Sequence, residues 1–314
     1  MQFNKRIIPR WMAILTAVGS TLLTFFIGSC THNVQTPKSQ DALSSTLNSL
    51  VSKASGCVGI AMVSKSDTIT INNGVHYPMM SVFKLHQALA VADKLERTDT
   101  PLDTTILVSA SELDKDTWSP MLKEYRNEDF SISVANLIKY TLVSSDNNAS
   151  NILFKRFVSP LETDKFVKTV ATDTTFRITF SEALMKSNPE LSYNNYTSPL
   201  SASLLIKQVF TDSLLSSANQ DSIQSYLTSV TTGHDRLGAA VEGEEGVIFG
   251  HKTGSGYRNN RGELIAHNDV GYFRLPDGRD YSLAVFIRDF NGTEEEASAL
   301  IASISRCVYD YFRK

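Results

Sequence analysis

The sequence predicts an α+β fold in which one antiparallel five-stranded sheet is assembled from both ends of the chain and flanked by helices. Three observations lead there. Apolar, strand-like runs occur near the start at Cys57–Val63 and Asp67–Ile71. Similar runs return near the end at Val247–Lys252, Asn268–Leu275 and Tyr281–Asp289. Between these two groups the patterns are helical, so the middle of the chain, about residues 81–230, reads as a helical lobe inserted between two halves of a sheet. With 314 residues, 42% of them hydrophobic, the chain is long enough for a large core.

The N-terminal segment differs from the rest. Lys5, Arg6 and Arg10 precede an apolar stretch from Trp11 to Ile27, which ends in Ile27-Gly28-Ser29-Cys30. A basic start and an apolar run of this kind read as an export signal over residues 1–30. Small residues directly before a cysteine resemble the lipobox of bacterial lipoproteins, which makes Cys30 the candidate lipidation site and implies a periplasmic, lipid-anchored location. A plain signal peptide and an uncleaved anchor are the alternatives. The polar residues 31–40 then form a tether, and residues 41–314 a single domain.

Each further element has a local reason. Asp41–Lys53 has a helical pattern. Cys57–Val63 and Asp67–Ile71 are joined by a short polar turn, and Asn72-Asn73-Gly74 supplies turn chemistry after them. From Ser81 to Leu95, apolar residues recur at Val82, Leu85, Leu89, Ala92 and Leu95, a helical spacing with one buried stripe. Helices are also predicted at Val134–Ser144, Asn148–Val158, Pro199–Thr211 and Ser222–Thr231. Pro276-Asp277-Gly278 is a turn between the last two strands, and Thr293–Phe312 closes the chain as an amphipathic helix.

Composition excludes several functions. The net charge is -3, from 30 Lys+Arg against 33 Asp+Glu, and no basic run interleaved with aromatics follows the first ten residues, which argues against a nucleic-acid partner. The six histidines are scattered singly, so a zinc hydrolase is disfavoured and no cofactor is expected. Cys57 and Cys307 pair only if the fold brings the two ends together; a disulfide and two buried thiols both remain open.

The stretch Met80-Ser81-Val82-Phe83-Lys84 carries the first chemical signal. A serine hydroxyl is a weak nucleophile unless a base takes its proton, and residues at i and i+3 share a helix face. Taken alone, Ser81 and Lys84 are better explained as a helix cap and a solvated lysine. The same chain also contains Ser145-Asp146-Asn147 at a helix-to-helix turn and Lys252-Thr253-Gly254 on a strand. These three motifs in this order are the signature of class A β-lactamases and penicillin-binding proteins.

Over its mature length the chain resembles the class A serine β-lactamases. Met-Ser-Val-Phe-Lys, Ser-Asp-Asn-Asn-Ala-Ser-Asn and His-Lys-Thr-Gly-Ser-Gly-Tyr are most similar to the broad-spectrum cephalosporinases of anaerobic bacteria. The resemblance implies a β-lactamase/transpeptidase-like fold and a monomeric enzyme acting on a small-molecule β-lactam. Ser81 is the implied nucleophile and Lys84 a proton acceptor or relay. The N–H groups of Ser81 and Ser255 are the implied oxyanion hole. Ser145 passes a proton to the ring nitrogen, and Lys252 holds Ser145 and attracts the drug's carboxylate. Thr253, Gly254, Ser255 and Arg236 are implied at the carboxylate site, Asn147 at the side-chain amide and Trp118 at the cleft mouth.

A β-lactamase also needs a carboxylate that activates the deacylating water. Counting back from the helix start at Ser198-Pro199 lands on Glu182 rather than Glu190, although Pro189-Glu190-Leu191 superficially copies the family's loop, a register that would put Asn188 at the base position. This register puts Lys186, four residues on, where the family has a water-holding Asn; one helical turn would let it pair with Glu182. Phe180 and Asn195 replace the Arg–Asp pair that clamps this loop in the family, so the loop must be held another way. The alternatives to a β-lactamase are a penicillin-binding protein or D-Ala-D-Ala peptidase, which lacks fast deacylation, and a binding-only β-lactam sensor.

Overall fold

The computed structural model describes residues 40–125 and 128–313. The export segment, Cys30 and residues 31–39 of the tether lie outside the described residues, and Gln40 already belongs to the first helix. In chain order the elements are α1 (Gln40–Val51), β1 (Cys57–Ser64), β2 (Thr68–Ile71), β3 (Tyr77–Pro78), α2 (Phe83–Arg97), β4 (Thr105–Val108) and α3 (Met121–Tyr125). There follow β5 (Phe130–Ser133), α4 (Val134–Val143), α5 (Asn147–Arg156), α6 (Pro160–Val170), β6 (Phe176–Arg177), α7 (Glu182–Ser187) and β7 (Tyr196–Thr197). The chain closes with α8 (Pro199–Thr211), α9 (Ser217–Thr228), β8 (Ile248–Arg258), β9 (Leu264–Arg274), β10 (Asp280–Phe290) and α10 (Glu294–Phe312).

The main sheet has the order β2-β1-β10-β9-β8, with every pairing antiparallel. Its strands therefore come from the two ends of the chain, as predicted. The inner strands β1, β9 and β10 are buried on both faces, which explains why they read as apolar runs, while edge strand β2 alternates exposed and buried. α1 and α10 cover one face, and α8 with the helical segment covers the other. Alternation along β1 separates the two cysteines. Cys57 packs with the cluster on the α8 face, its thiol 3.4 Å from the Tyr77 hydroxyl, whereas Cys307 packs with the α1/α10 cluster. A disulfide between them is ruled out by the sheet lying in the way.

Several expectations change in detail. The stripe on α2 becomes burial on all sides: every residue from Phe83 to Ala92 is buried, because α4, α5, α6 and α9 surround the helix. Ser81 caps nothing. It sits in a single 3₁₀ turn, Met80–Val82, and α2 starts after Val82 without a side-chain cap. β8 runs on through Lys252-Thr253-Gly254 to Arg258, and α9 begins at Ser217. α6 adds a helix beyond those predicted, although Ser159 and Glu162 form a capping box around Pro160.

Candidate active site

Three segments with different roles in the fold converge on one cleft of about 590 Å³. The 3₁₀ turn delivers Ser81, the turn between α4 and α5 delivers Ser145 and Asn147, and edge strand β8 delivers Lys252, Thr253 and Ser255. Close approach of β8 to the Ser81 turn depends on Gly254, since a Cβ there would stand 2.3 Å from the Met79 carbonyl oxygen. Gly254 thus faces the turn, and its neighbours Thr253 and Ser255 line the cleft. Two non-glycine residues in the left-handed region, Met80 at φ 45° and Ser145 at φ 56°, sit beside or among these groups. Backbone strain of this kind persists only where surrounding packing enforces it.

Asp146 enforces it at Ser145. Its buried carboxylate accepts hydrogen bonds from Ala149 N–H, Met121 N–H and the Ser119 hydroxyl at 2.8–2.9 Å, capping α5 and fixing the segment that carries Trp118. Burial pushes the Asp146 carboxyl upward against these donors. Gln87 and Ser150 exchange two hydrogen bonds of 2.8 and 2.9 Å between α2 and α5, which fixes the face carrying Lys84 against the face carrying Asn147.

Lys84 is fully buried, contrary to a solvated reading. Its Nζ donates to the Ser145 carbonyl and to Asn147 Oδ1 at 2.7 Å each and lies 3.0 Å from Glu182 Oε1. Burial lowers its pKa, opposed by the Glu182 charge. The Ser81 hydroxyl donates to the same Glu182 oxygen at 2.8 Å. Glu182 therefore faces the nucleophile directly, and Lys84 reaches Ser81 through it. On the far side of Ser145, Lys252 Nζ lies 3.0 Å from the Ser145 Oγ and Lys84 Nζ 3.5 Å from it. Burial and then the Lys84 charge lower the Lys252 pKa far below its ordinary value.

The segment that presents Glu182 starts and ends at the short pair β6–β7. Asn195 does the work of the missing Arg–Asp clamp. Its Oδ1 accepts from Thr179 N–H and Phe180 N–H at 2.8 and 2.9 Å, its Nδ2 donates to the Phe180 carbonyl at 2.7 Å, and its own carbonyl accepts from Met79 N–H at 2.8 Å. A neutral amide fully buried and fully bonded replaces an ion pair. Glu190 is exposed and lines a separate depression with Tyr193 and Arg288, and Asn188 turns its side chain to the Glu190 N–H. Of the two carboxylates, Glu182 is the one hydrogen-bonded to Ser81.

Arg236 occupies the other end. It is buried, donates to the Asn268 carbonyl at 2.8 Å and to Ser255 Oγ at 2.6 Å, and reaches the cleft beside Thr253. Gly233, at φ 70°, lets this segment lie against β8, because a Cβ would meet Thr253 Cγ2 at 2.5 Å. Thr232 and Thr253 share a 2.8 Å hydroxyl contact. Burial lowers the Arg236 pKa from a very high ordinary value, so the guanidinium remains a cation. Trp118 is 58% exposed at the mouth, its indole N–H donating to the Ser144 carbonyl at 2.8 Å, which makes it a wall of the cleft rather than core.

Lys186 does not pair with Glu182. Its ammonium turns to Asp114 and Asp116 on the opposite wall. Tyr257, Thr117 and Glu294 also line the cleft and were not anticipated. Tyr257 had a signal, since residues 253, 255 and 257 share one face of a strand; Glu294 had none, because its proximity comes from the packing of α10.

With this fold and this site, the chain belongs to the β-lactamase enzyme family, whose family model matches residues 42–312, and it is a class A serine β-lactamase, a hydrolase of β-lactams. It is 41% identical over 296 residues to a β-lactamase of Phocaeicola vulgatus, covering 94% of this chain and 92% of that one. The extended-spectrum β-lactamase PER-1 of Pseudomonas aeruginosa is 30% identical, with 95% and 94% of the two chains covered. Among solved structures, the extended-spectrum β-lactamase TLA-3 superposes with a TM-score of 0.83 at 31% identity, over 88% of this chain and 100% of that one. A class A β-lactamase from Bacteroides cellulosilyticus gives 0.80 at 33%, over 86% and 96%.

Proposed function

We propose that this β-lactamase opens penicillins and cephalosporins through an acyl-enzyme on Ser81, released by water that Glu182 activates. The observation that carries the reading is the shared Glu182 oxygen, 2.8 Å from the Ser81 hydroxyl and 3.0 Å from the Lys84 ammonium. Ser81 Oγ bonds to the lactam carbonyl carbon as its proton passes to Glu182, and the ring C–N bond breaks. The ring nitrogen takes a proton from Ser145, Lys84 resupplies Ser145 across 3.5 Å, and the proton on Glu182 passes to Lys84 across 3.0 Å, which restores the carboxylate before water attacks. The N–H groups of Ser81 and Ser255 receive the oxyanion, and Arg236, Thr253 and Lys252 hold the drug's carboxylate. In the second half water gives a proton to Glu182, its oxygen bonds to the ester carbon, and Ser81 leaves with the proton returned.

The Glu182 carboxylate is what separates this reading from a peptidase or a sensor that remains acylated. In Glu182→Gln, Lys84 remains to take the Ser81 proton while the base for water is lost, so a chromogenic cephalosporin is expected to give a burst followed by turnover about 10²-fold or more slower, with the acyl adduct on Ser81 seen by intact mass. Wild-type turnover without an adduct would sink the mechanism. The PER-1 and TLA-3 relatives are called extended-spectrum, and the loop held by Asn195 instead of an ion pair supports acceptance of bulky cephalosporins here. We further propose export and a lipid anchor at Cys30. Loss of membrane association in Cys30→Ser is the expected outcome, and an unaltered membrane fraction would refute it.

A further inference from the structure

Lys186 stands on α7 one turn after Glu182, and its ammonium spans the cleft wall to Asp114 Oδ2 at 2.8 Å. The Asp116 carbonyl and carboxylate take its remaining protons, with Asp116 Oδ2 at 3.4 Å. The receiving end is itself fastened. Asp114 N–H donates to Asn148 Oδ1, and Asn148 Nδ2 donates back to the Asp114 carbonyl, both at 2.9 Å. The residues that follow, Thr117 and Trp118, line the same cleft, and Thr117 Oγ1 accepts from Asn147 at 3.0 Å.

We propose that the Lys186–Asp114–Asp116 crossbar determines specificity. It fixes the separation of α7 from the 114–118 segment and so limits the width of the subsite for the acylamide side chain of a β-lactam. The inference rests on the β-lactamase reading above, which places that amide at Asn147. Anchoring of the loop does not require the crossbar, because Asn195 holds the base of the segment and Asn151 Oδ1 accepts from Ala183 N–H at 3.2 Å. What the crossbar adds is a charged chain across the mouth, joining the wall that carries Glu182 to the wall that carries Trp118. Lys186 chiefly holds the Asp114 carboxyl below its ordinary range, and Asp114 raises Lys186 in turn, so the Lys186–Asp114 pair stays ionised near neutral pH.

The test compares two cephalosporins, one with a small acyl side chain and one with a branched oxyimino side chain, on the wild-type protein and on Lys186→Ala, Asp114→Asn, Lys186→Arg and the Lys186→Ala/Asp114→Asn double variant. In Lys186→Ala and Asp114→Asn the ratio of KM for the branched drug to KM for the small one is expected to fall about three- to tenfold. Lys186→Arg should keep the wild-type ratio, and the double variant should add nothing to Lys186→Ala, which already removes the contacts to both aspartates. A ratio equal to wild type in all variants, or a uniform loss on both drugs, overturns the crossbar while leaving the hydrolase intact. Wild-type protein that turns over neither drug overturns the hydrolase reading and the crossbar with it.

Discussion

Lys84 and Lys186 each hold a carboxylate at hydrogen-bonding distance, 3.0 Å to Glu182 and 2.8 Å to Asp114, and the two lysines are shifted in opposite directions. The side chains of the first pair are 0% and 6% exposed, those of the second 31% and 38%. Burial makes the Lys84 ammonium costly and lowers its pKa, whereas solvent keeps the Lys186 ammonium cheap and its partner raises the pKa. A lysine–carboxylate contact is therefore not one kind of interaction. In the dry floor of the cleft burial works against the ammonium; at the wet mouth the partner carboxylate favours it.

The largest break in this comparison is at Lys84. Lys84→Met leaves Glu182 as a buried carboxylate without its cation, and unfolding in urea is expected to show a loss of about 3 kcal/mol or more. Turnover of a chromogenic cephalosporin should fall about 10²- to 10⁴-fold. Lys84→Met combined with Glu182→Leu should recover much of the stability and none of the turnover. Equal stability of Lys84→Met and wild type would show that the pair is not buried as described.

Next comes the clamp that keeps Glu182 in place. Asn195→Ala deprives two N–H groups and one carbonyl of their side-chain partner. At about 1–3 kcal/mol for an unsatisfied buried group, eased by local relaxation, a loss of about 2 kcal/mol is expected. That corresponds to a drop of about 4–8 °C in Tm for a domain of this size, with slower deacylation visible as acyl-enzyme in the steady state. An unchanged Tm would mean that the short strands alone hold the segment.

The smallest effect sharpens the comparison from outside the cleft. The Glu112 carboxyl is held at about 2 rather than 4.5, first by the Lys155 hydrogen bond and also by Arg156. Its folded pKa lies below the unfolded one, so its contribution is present above pH 4.5 and is lost as pH falls toward 2. Because Lys155 and Arg156 are largely exposed, it amounts to less than about 1 kcal/mol. Chemical denaturation of Glu112→Gln should show a shallower acid loss than wild type, and parallel curves would refute the assignment.

Much of the sheet was legible because strands covered on both faces must be apolar throughout, as in Cys57–Val63 and Tyr281–Asp289. Boundaries at β8 were not, since Gly254, which discourages a strand locally, is required there for close approach to the Met79 carbonyl beside Ser81. The site was legible only as three motifs taken together. Ser81 read alone suggested a cap and Lys84 a solvated cation, and both readings failed, because neither residue reveals in sequence that α5 and the Glu182 segment cover that face of α2.

The sequence by itself determined the α+β class, the order of the three motifs and the family they mark, because these depend on local residue patterns. It also singled out Glu182 over Glu190 as the candidate base and showed Phe180 and Asn195 where the family's loop has its Arg–Asp pair. Only the tertiary structure decided that Asn195 replaces the clamp, that the sheet stands between Cys57 and Cys307, and that Lys186 turns from Glu182 to Asp114 and Asp116. The reason is physical: each of these depends on which groups the fold brings within about 3 Å across long stretches of chain, and on how much water remains between them.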